Sequence, residues 1–253
     1  MFDLGRAVEE LQESETEDIA FSKFCSVVKL YGYENVCYTL LTDHPSINQK
    51  SMHGLTTSYP DDWMKSYVEN RCLQIDPVVY QLSRSRTPFF WEDAVRSQRE
   101  DPVVGEETTL VAEVFMNEAE DAGLADGIAV PFVSSAGEIS GIGLSRTEAI
   151  KERDWHDVAD LSLLSAVFQE KYLSFYTQKH QPSLTQRERE VLCWASEGKT
   201  DQDISDLIGV SNAAIRFHWS NIFKKLDVSN RLMATTKAIR LNLVNLHRTP
   251  LSL

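Results

Sequence analysis

LTQREREVLCWASEGKTDQDISDLIGVSNAAIRFHWSNIFKKLDVSNRLMATTKAIRLNLV, residues Leu184–Val244, punctuates itself into four helices. Thr185-x-x-Glu188 has the form of a capping box, in which the threonine oxygen accepts from a free backbone N–H and the glutamate reaches back. That helix carries Val191, Leu192 and Ala195 to a stop at Gly198, a residue suited to the left-handed cap. Thr200-x-x-Asp203 opens a second helix in the same way, carrying Ile204, Leu207 and Ile208 up to Gly209. A third helix starts after Ser211 and a fourth after Ser229. Helix, tight glycine turn and serine-capped helix is the layout of a helix-turn-helix, whose second helix enters the DNA major groove.

At roughly 100° per residue, Ile215, Trp219, Ile222 and Leu226 of the third helix share one face, which predicts the core side. The opposite side holds Ala213, Arg216, Phe217, Ser220 and Lys224, with Lys225 beside it. Arg216 has the chemistry to reach guanine O6 and N7, Phe217 to touch a thymine methyl, and Ser220 to reach a base edge or a phosphate. Lys224 and Lys225 suit phosphates. A small helical domain that binds protein, with these cations merely solvated, is the alternative on this pattern alone.

The chain of 253 residues carries 25 Lys+Arg against 38 Asp+Glu, a formal charge of -13 that argues against a polyanion partner until it is mapped along the sequence. Residues 1–178 hold 14 basic and 31 acidic side chains (-17), and residues 179–253 hold 11 and 7 (+4). The acidity belongs to the first part, and TQKHQPS, Thr177–Ser183, reads as a linker. The expected domains are therefore 1–176, a linker 177–183, and 184–253. So small a positive charge implies that two copies must read two half-sites for useful affinity.

The first part mixes helical and strand patterns. Thr16–Leu30, Pro60–Asn70, Val78–Ser85, Glu106–Ala122 and Asp154–Tyr176 have helical apolar spacing; Val36–Leu41, Gly127–Val133 and Gly137–Ser145 read as strands. The class is α+β, with helices flanking an antiparallel sheet. The polar stretch Ala94–Thr109 reads as a surface loop, with a lid or a dimer contact as the alternatives. Cys25, Cys37, Cys72 and Cys193 form no C-x-x-C pair or Cys/His cluster, so neither a disulfide framework nor a metal site is expected. No secretory leader or apolar run long enough for a membrane is present, which predicts a cytoplasmic protein. No G-x-S-x-G, H-E-x-x-H or phosphate loop occurs, and Gly141-Ile142-Gly143 lacks the third glycine of a dinucleotide fingerprint, so an enzyme is not expected.

Leu184–Val244 resembles the carboxy-terminal domain of LuxR-type transcriptional regulators, through LTxREREVL, GKT, HxxNIxxKL and the following Asn-Arg. Ala214-Ile215 stands where that family commonly has Thr-Val. The resemblance adds Glu188 and Thr200 to the DNA-facing set of Ala213, Arg216, Phe217, Ser220, Lys224 and Lys225, although capping and core packing account for Glu188, Leu192 and Gly198 without DNA. YPDDWMKSYVENRCLQIDPVVYQLSRSRTPFFW, Tyr59–Trp91, together with Ala119–Ser145, resembles the acyl-homoserine-lactone-binding domain of the quorum-sensing members. It implies an amino-terminal α-β-α sandwich of PAS/GAF-like type before the all-α four-helix reader. It also implies a homodimer that binds an N-acyl-homoserine lactone and operator DNA, with RNA polymerase a further partner and no cofactor beyond the small-molecule effector.

By that pattern Asp76 accepts the ligand amide N–H, the Trp63 indole donates to the lactone carbonyl, the Tyr59 hydroxyl donates to the acyl carbonyl, Trp91 packs on the lactone ring and Tyr67 lines the pocket. Asp76-Pro77 is equally a helix N-cap followed by proline at the first helical position. Gly143 stands where relatives often place Ser or Thr, so that polar contact is lost or moved to Ser145, and space is left for a branched, aromatic or longer acyl group. An orphan regulator answering to another small molecule, or to none, is the second reading.

Overall fold

A computed structural model describes residues 3–134, 136–149, 152–180, 182–241 and 243–244. The chain forms two compact units; Met1–His44, Lys50–Ser134 and Glu138–Tyr176 make the first, and Thr177 onward is the body of the second.

In the first unit five strands form one antiparallel sheet in the order β2-β1-β5-β4-β3: β1 Asn35–Leu40, β2 Met52–Thr57, β3 Phe89–Phe90, β4 Asp126–Val133 and β5 Ile139–Arg146. The two-residue side-chain period divides this sheet into two faces. One carries Val36, Tyr38, Ile128, Ile142 and Leu144, each completely buried. Two helices cover it: α2 (Glu17–Lys29), opened by the Thr16 side chain, and α7 (Trp155–His180). Phe24 of α2 stacks on Phe168 of α7 at 4.5 Å and 9°, and the Tyr38 ring meets Phe168 edge-on at 6.2 Å. Burying each such side chain contributes about 1.5–3 kcal/mol, so this layer is the unit's main anchor.

The other face is lined by Cys37, Thr39, Gly127, Ala129, Gly141, Gly143 and Ser145, as the register Cys37↔Gly143↔Ala129 and Ser145↔Gly127 requires. Small residues here let helices approach closely. A Cβ on Gly127 would stand 2.6 Å from the Trp91 ring, and one on Gly141 2.5 Å from Leu82. Over this face lie α3 (Asp61–Glu69), α4 (Pro77–Leu82), α5 (Trp91–Glu100) and α6 (Glu106–Asp121). A short α1 (Leu4–Gln12), capped by Asp3, buries Ala7 and Leu11.

α1 and β3 were not read from the sequence, and three further elements differ from that reading. Most of Ala94–Thr109 is helical rather than loop: Trp91, Ala94 and Gln98 recur at i, i+3 and i+7 and are buried, so α5 has a core face that its polar residues conceal. Only Asp101–Gly105 separates α5 from α6. The half-buried edge strand β2, interrupted by Gly54 at φ +72°, was not legible as a strand. The α7 backbone also runs through His180, four residues into the stretch read as linker, because TQKH contains no helix breaker before Pro182.

The second unit comprises α8 (Gln186–Ser196), α9 (Asp201–Ile208), α10 (Asn212–Leu226) and α11 (Arg231–Arg240). Both capping boxes form, Thr185 with Glu188 and Thr200 with Asp203. Gly198 and Gly209 take left-handed φ of +80° and +69°, which reverses the chain tightly after α8 and α9. Asn230 rather than Ser229 caps α11, accepting from the Met233 N–H at 2.9 Å. Val191, Leu192, Ile204, Ile215, Ile222, Ala234 and Ala238 are fully buried and, with Trp219 and Leu226, fuse the four helices around one core.

Candidate functional site

The open face of the sheet and helices α3, α4 and α6 enclose a cavity of ≈ 40 Å³ lined by Tyr59, Trp63, Tyr67, Asp76, Trp91 and Gly143, and by Cys37, Thr39, His53, Leu82, Phe115, Met116, Ala119 and Leu124. Five of the six expected ligand residues thus meet around one space. Trp63 and Tyr67 sit one helical turn apart on α3, and Asp76 arrives at the head of α4.

Asp76 performs the capping role that its sequence suggests. Its Oδ1 accepts from the N–H groups of Val78 at 2.7 Å and Val79 at 3.2 Å, while Oδ2 accepts from the Tyr67 hydroxyl at 2.7 Å. Burial raises its pKa, and the three hydrogen bonds pull partly the other way. The carboxylate therefore projects an electron-rich edge into an aromatic chamber. Burial and the neighbouring Asp76 push the Tyr67 phenol well above its usual range, so it stays a donor. The chamber is walled by Trp63 and Phe115, 5.4 Å apart, and by Tyr67 edge-on to Phe115 at 5.8 Å.

The sixth expected residue is placed differently. Ser145 shares the face with Gly143 but lies outside the cavity lining, completely buried, and its Oγ has no hydrogen-bond partner among the described residues. The Trp91 indole N–H is likewise buried without a partner there. Gly143 has a physical reason: a Cβ would come within 3.0 Å of the Tyr59 hydroxyl. The missing side chain makes room for that phenol, so Tyr59 takes up part of the space that Gly143 opens beside the cavity.

Sequence reasoning missed His53, Cys37 and Thr39. His53 sits on β2, its ring stacked on Tyr67 at 4.0 Å and 11°. Its Nδ1 lies 3.0 Å from Thr39 Oγ1 and its Nε2 3.6 Å from Cys37 Sγ. Burial lowers the histidine pKa to about 4 and raises the Cys37 thiol to about 11, so both are neutral near pH 7. Alternation of His53, Leu55 and Thr57 was a signal for the strand, but Gly54 breaks it.

In the second unit, Ala213, Arg216, Phe217, Ser220 and Lys224 are all exposed on one side of α10, while Ile215, Trp219, Ile222 and Leu226 are buried on the other. Phe217 is 63% exposed, a large apolar surface for a solvated helix. Glu188 and Lys225 do not join this face. Glu188 is 2% exposed, accepts from the Thr185 N–H at 2.7 Å and pairs with the Lys225 Nζ at 2.7 Å. Burial would raise the Glu188 pKa, but the Lys225 ammonium and the Thr185 N–H outweigh it and hold the carboxyl below its usual range. The Thr200 hydroxyl is engaged with Asp203 at 2.7 Å. Asp201 accepts from both the Trp219 indole at 3.0 Å and the Arg231 guanidinium at 2.8 Å, tying the starts of α9 and α11 to the middle of α10.

Cys25, Cys37 and Cys72 carry free thiols. Among the described residues no His/Cys/Asp/Glu group is arranged to hold a metal, and no helix is long and apolar enough to cross a membrane.

Residues 16–172 match the family described as autoinducer binding domain, and residues 182–238 match bacterial regulatory proteins, luxR family. The transcriptional activator protein VanR of Vibrio anguillarum is 29% identical over 245 residues, spanning 94% of this chain and 96% of its own length. The transcriptional activator protein SolR of Ralstonia nicotianae is 28% identical over 234 residues, spanning 88% and 91%. The solved structure of SdiA in complex with octanoyl-rac-glycerol superposes with a TM-score of 0.71 at 20% identity, over 98% of this chain and 100% of that one, a likeness of fold. A buried carboxylate in an aromatic cavity, a helix-turn-helix and these two family matches lead to one conclusion: the chain belongs to the LuxR family of quorum-sensing transcriptional regulators, with an autoinducer-binding domain and a helix-turn-helix domain, a family of regulators rather than enzymes.

Proposed function

We propose that the first domain, residues 1–176, binds an N-acyl-homoserine lactone and that the chain, as a homodimer, reads operator DNA through residues 184–253 in the cytoplasm. The observation that carries the ligand reading is Asp76: a fully enclosed carboxylate on an aromatic cavity is a strong acceptor for an amide N–H. Such a ligand offers one N–H, carbonyl acceptors and an apolar tail. Donors suited to the carbonyls are the Trp63 indole and the Tyr59 hydroxyl, with Trp91 against the ring. Ser145, buried with an unsatisfied hydroxyl, supports a polar contact at that end of the site.

A cavity of ≈ 40 Å³ holds roughly three water-sized probes, so a lactone must part the walls and then fill them. Binding that completes this core stabilises the domain by mass action. On the DNA side, Arg216, Phe217 and Ser220 face bases and Lys224 faces phosphate; Ala213 lets the start of α10 approach the groove. Glu188 and Lys225 support the helices instead, and Thr200, exposed at the start of α9, stays in the proposed DNA-facing set. Most apolar residues of α7 are spent on its own sheet, so protomer pairing along that helix would use its outer side, where Leu163 is exposed. RNA polymerase is the partner a DNA-bound regulator would meet.

The test is thermal unfolding and operator footprinting with and without a panel of acyl-homoserine lactones. A lactone that raises the midpoint and changes operator affinity is expected. Equal stability and equal operator affinity in both conditions would refute ligand gating and favour the orphan reading.

A further inference from the structure

His53 lines the cavity, and the proposed contacts leave its chemistry unused. We infer that His53 selects the acyl group, favouring a lactone whose chain carries an oxo or hydroxyl oxygen close to the amide over an unsubstituted alkyl chain. The inference rests on the lactone reading above and deepens it.

Position is the first ground. The His53 ring lies face to face with Tyr67 at 4.0 Å, and the Tyr67 hydroxyl binds the carboxylate expected to hold the ligand amide. The imidazole therefore stands beside the atoms at which the acyl chain begins, not at its far end.

Room is the second. The cavity is too small for the ligand class, so a wall must yield. Cys37, Ala129 and Gly143 belong to the interior strands β1, β4 and β5, each paired on both sides. His53 belongs to β2, the edge strand, whose pairing with β1 is irregular between Tyr38 and Leu40 and whose residues are half-buried or exposed. An edge strand is held by one ladder and moves at lower cost than an interior one. Ligand entry thus displaces or contacts His53 before the other sheet walls.

Chemistry is the third. Nδ1 pairs with the Thr39 hydroxyl and Nε2 faces Cys37 Sγ at 3.6 Å; in the tautomer in which Thr39 donates, Nε2 carries the proton. A thiol is a weak acceptor, so this half-buried N–H is poorly satisfied. A carbonyl or hydroxyl oxygen on the early part of the chain would satisfy it, whereas a methylene would press on it without replacing even the thiol contact. Discrimination by a buried polar group follows from the cost of leaving it unpaired.

The experiment measures affinities of the full-length protein for hexanoyl-, 3-oxohexanoyl- and 3-hydroxyhexanoyl-homoserine lactone, for wild type, H53A and H53F. Phenylalanine keeps the ring and its stacking on Tyr67 while removing both nitrogens, and so covers the case in which H53A fails to fold. Wild type is expected to prefer an oxygen-bearing chain by at least about tenfold, and H53F to bring that ratio to within about twofold while still binding the unsubstituted lactone. An unchanged ratio in H53F, or no preference in wild type, overturns the inference and leaves the lactone reading standing. Wild type binding none of the lactones removes that reading and the inference with it.

Discussion

Replacing Asp76 by asparagine separates two jobs that one carboxylate performs. Oδ1 caps α4 through the Val78 and Val79 N–H groups, and Oδ2 takes the Tyr67 hydroxyl on the cavity side. Asparagine is as good an N-cap as aspartate, so a side-chain carbonyl placed at the Oδ1 position keeps the helix start intact. Its NH2 group then stands where Oδ2 stood, and Tyr67 can turn its hydroxyl to accept. A donor now meets the ligand N–H. The loss is a charge-assisted hydrogen bond, about 1.5–3 kcal/mol, which corresponds to about 10–150-fold in Kd.

The ligand-free protein should change by no more than about 1 kcal/mol, because the cap survives and a buried charge is removed. The sign of the pH dependence follows from burial raising the Asp76 pKa. Its contribution to stability is present below the ordinary carboxylate value of 3.8 and lost as pH rises through the folded value, so wild type loses ground to D76N as pH increases. Calorimetric titration with lactone after thermal unfolding of the free protein measures both quantities. Wild-type affinity in D76N, within about twofold, would show that Asp76 is a helix cap and nothing more.

R216A removes an exposed cation from the proposed reading face of α10 and should cost about 1–3 kcal/mol per half-site in operator binding, leaving lactone-dependent unfolding unchanged; an identical footprint would remove Arg216 from the reading surface. K225A strips the buried Glu188 of its cation and should destabilise the second domain by about 1–2 kcal/mol, less than a fully buried pair because the Lys225 side chain is 35% exposed. Since the Glu188 carboxyl is held below its usual 4.5, its stabilisation is present above that value and lost as pH falls through the folded pKa. K225A should therefore move acid unfolding of that domain to higher pH, as circular dichroism would record. G143A places a Cβ 3.0 Å from the Tyr59 hydroxyl and should weaken lactone binding with a stability cost of about 1 kcal/mol; tighter binding would mean that Tyr59 is not a ligand contact.

The helix-turn-helix was legible because its determinants are local. Caps such as Thr185 and Thr200, stops such as Gly198 and Gly209, and the spacing of Ile215, Trp219, Ile222 and Leu226 act within a turn or two of where they stand. What spacing could not give was the fate of Lys225, because its partner Glu188 is two helices away. The pocket was legible in part. Trp63, Tyr67 and Asp76 sit close in sequence and in space, whereas His53 arrives by long-range pairing of β2 with β1. Ser145 is on the expected face but lies outside the cavity lining, since pleating fixes direction but not which neighbour shields a side chain. The core side of α5 was hidden because one of its buried positions is the polar Gln98.

The most direct test of the central claim is mass spectrometry of the small molecules extracted from the protein purified out of its native host. An N-acyl-homoserine lactone at close to one per protomer, lost from D76N prepared in parallel, is the expected result. A different compound at that ratio, or wild type and D76N extracts that do not differ, would contradict it.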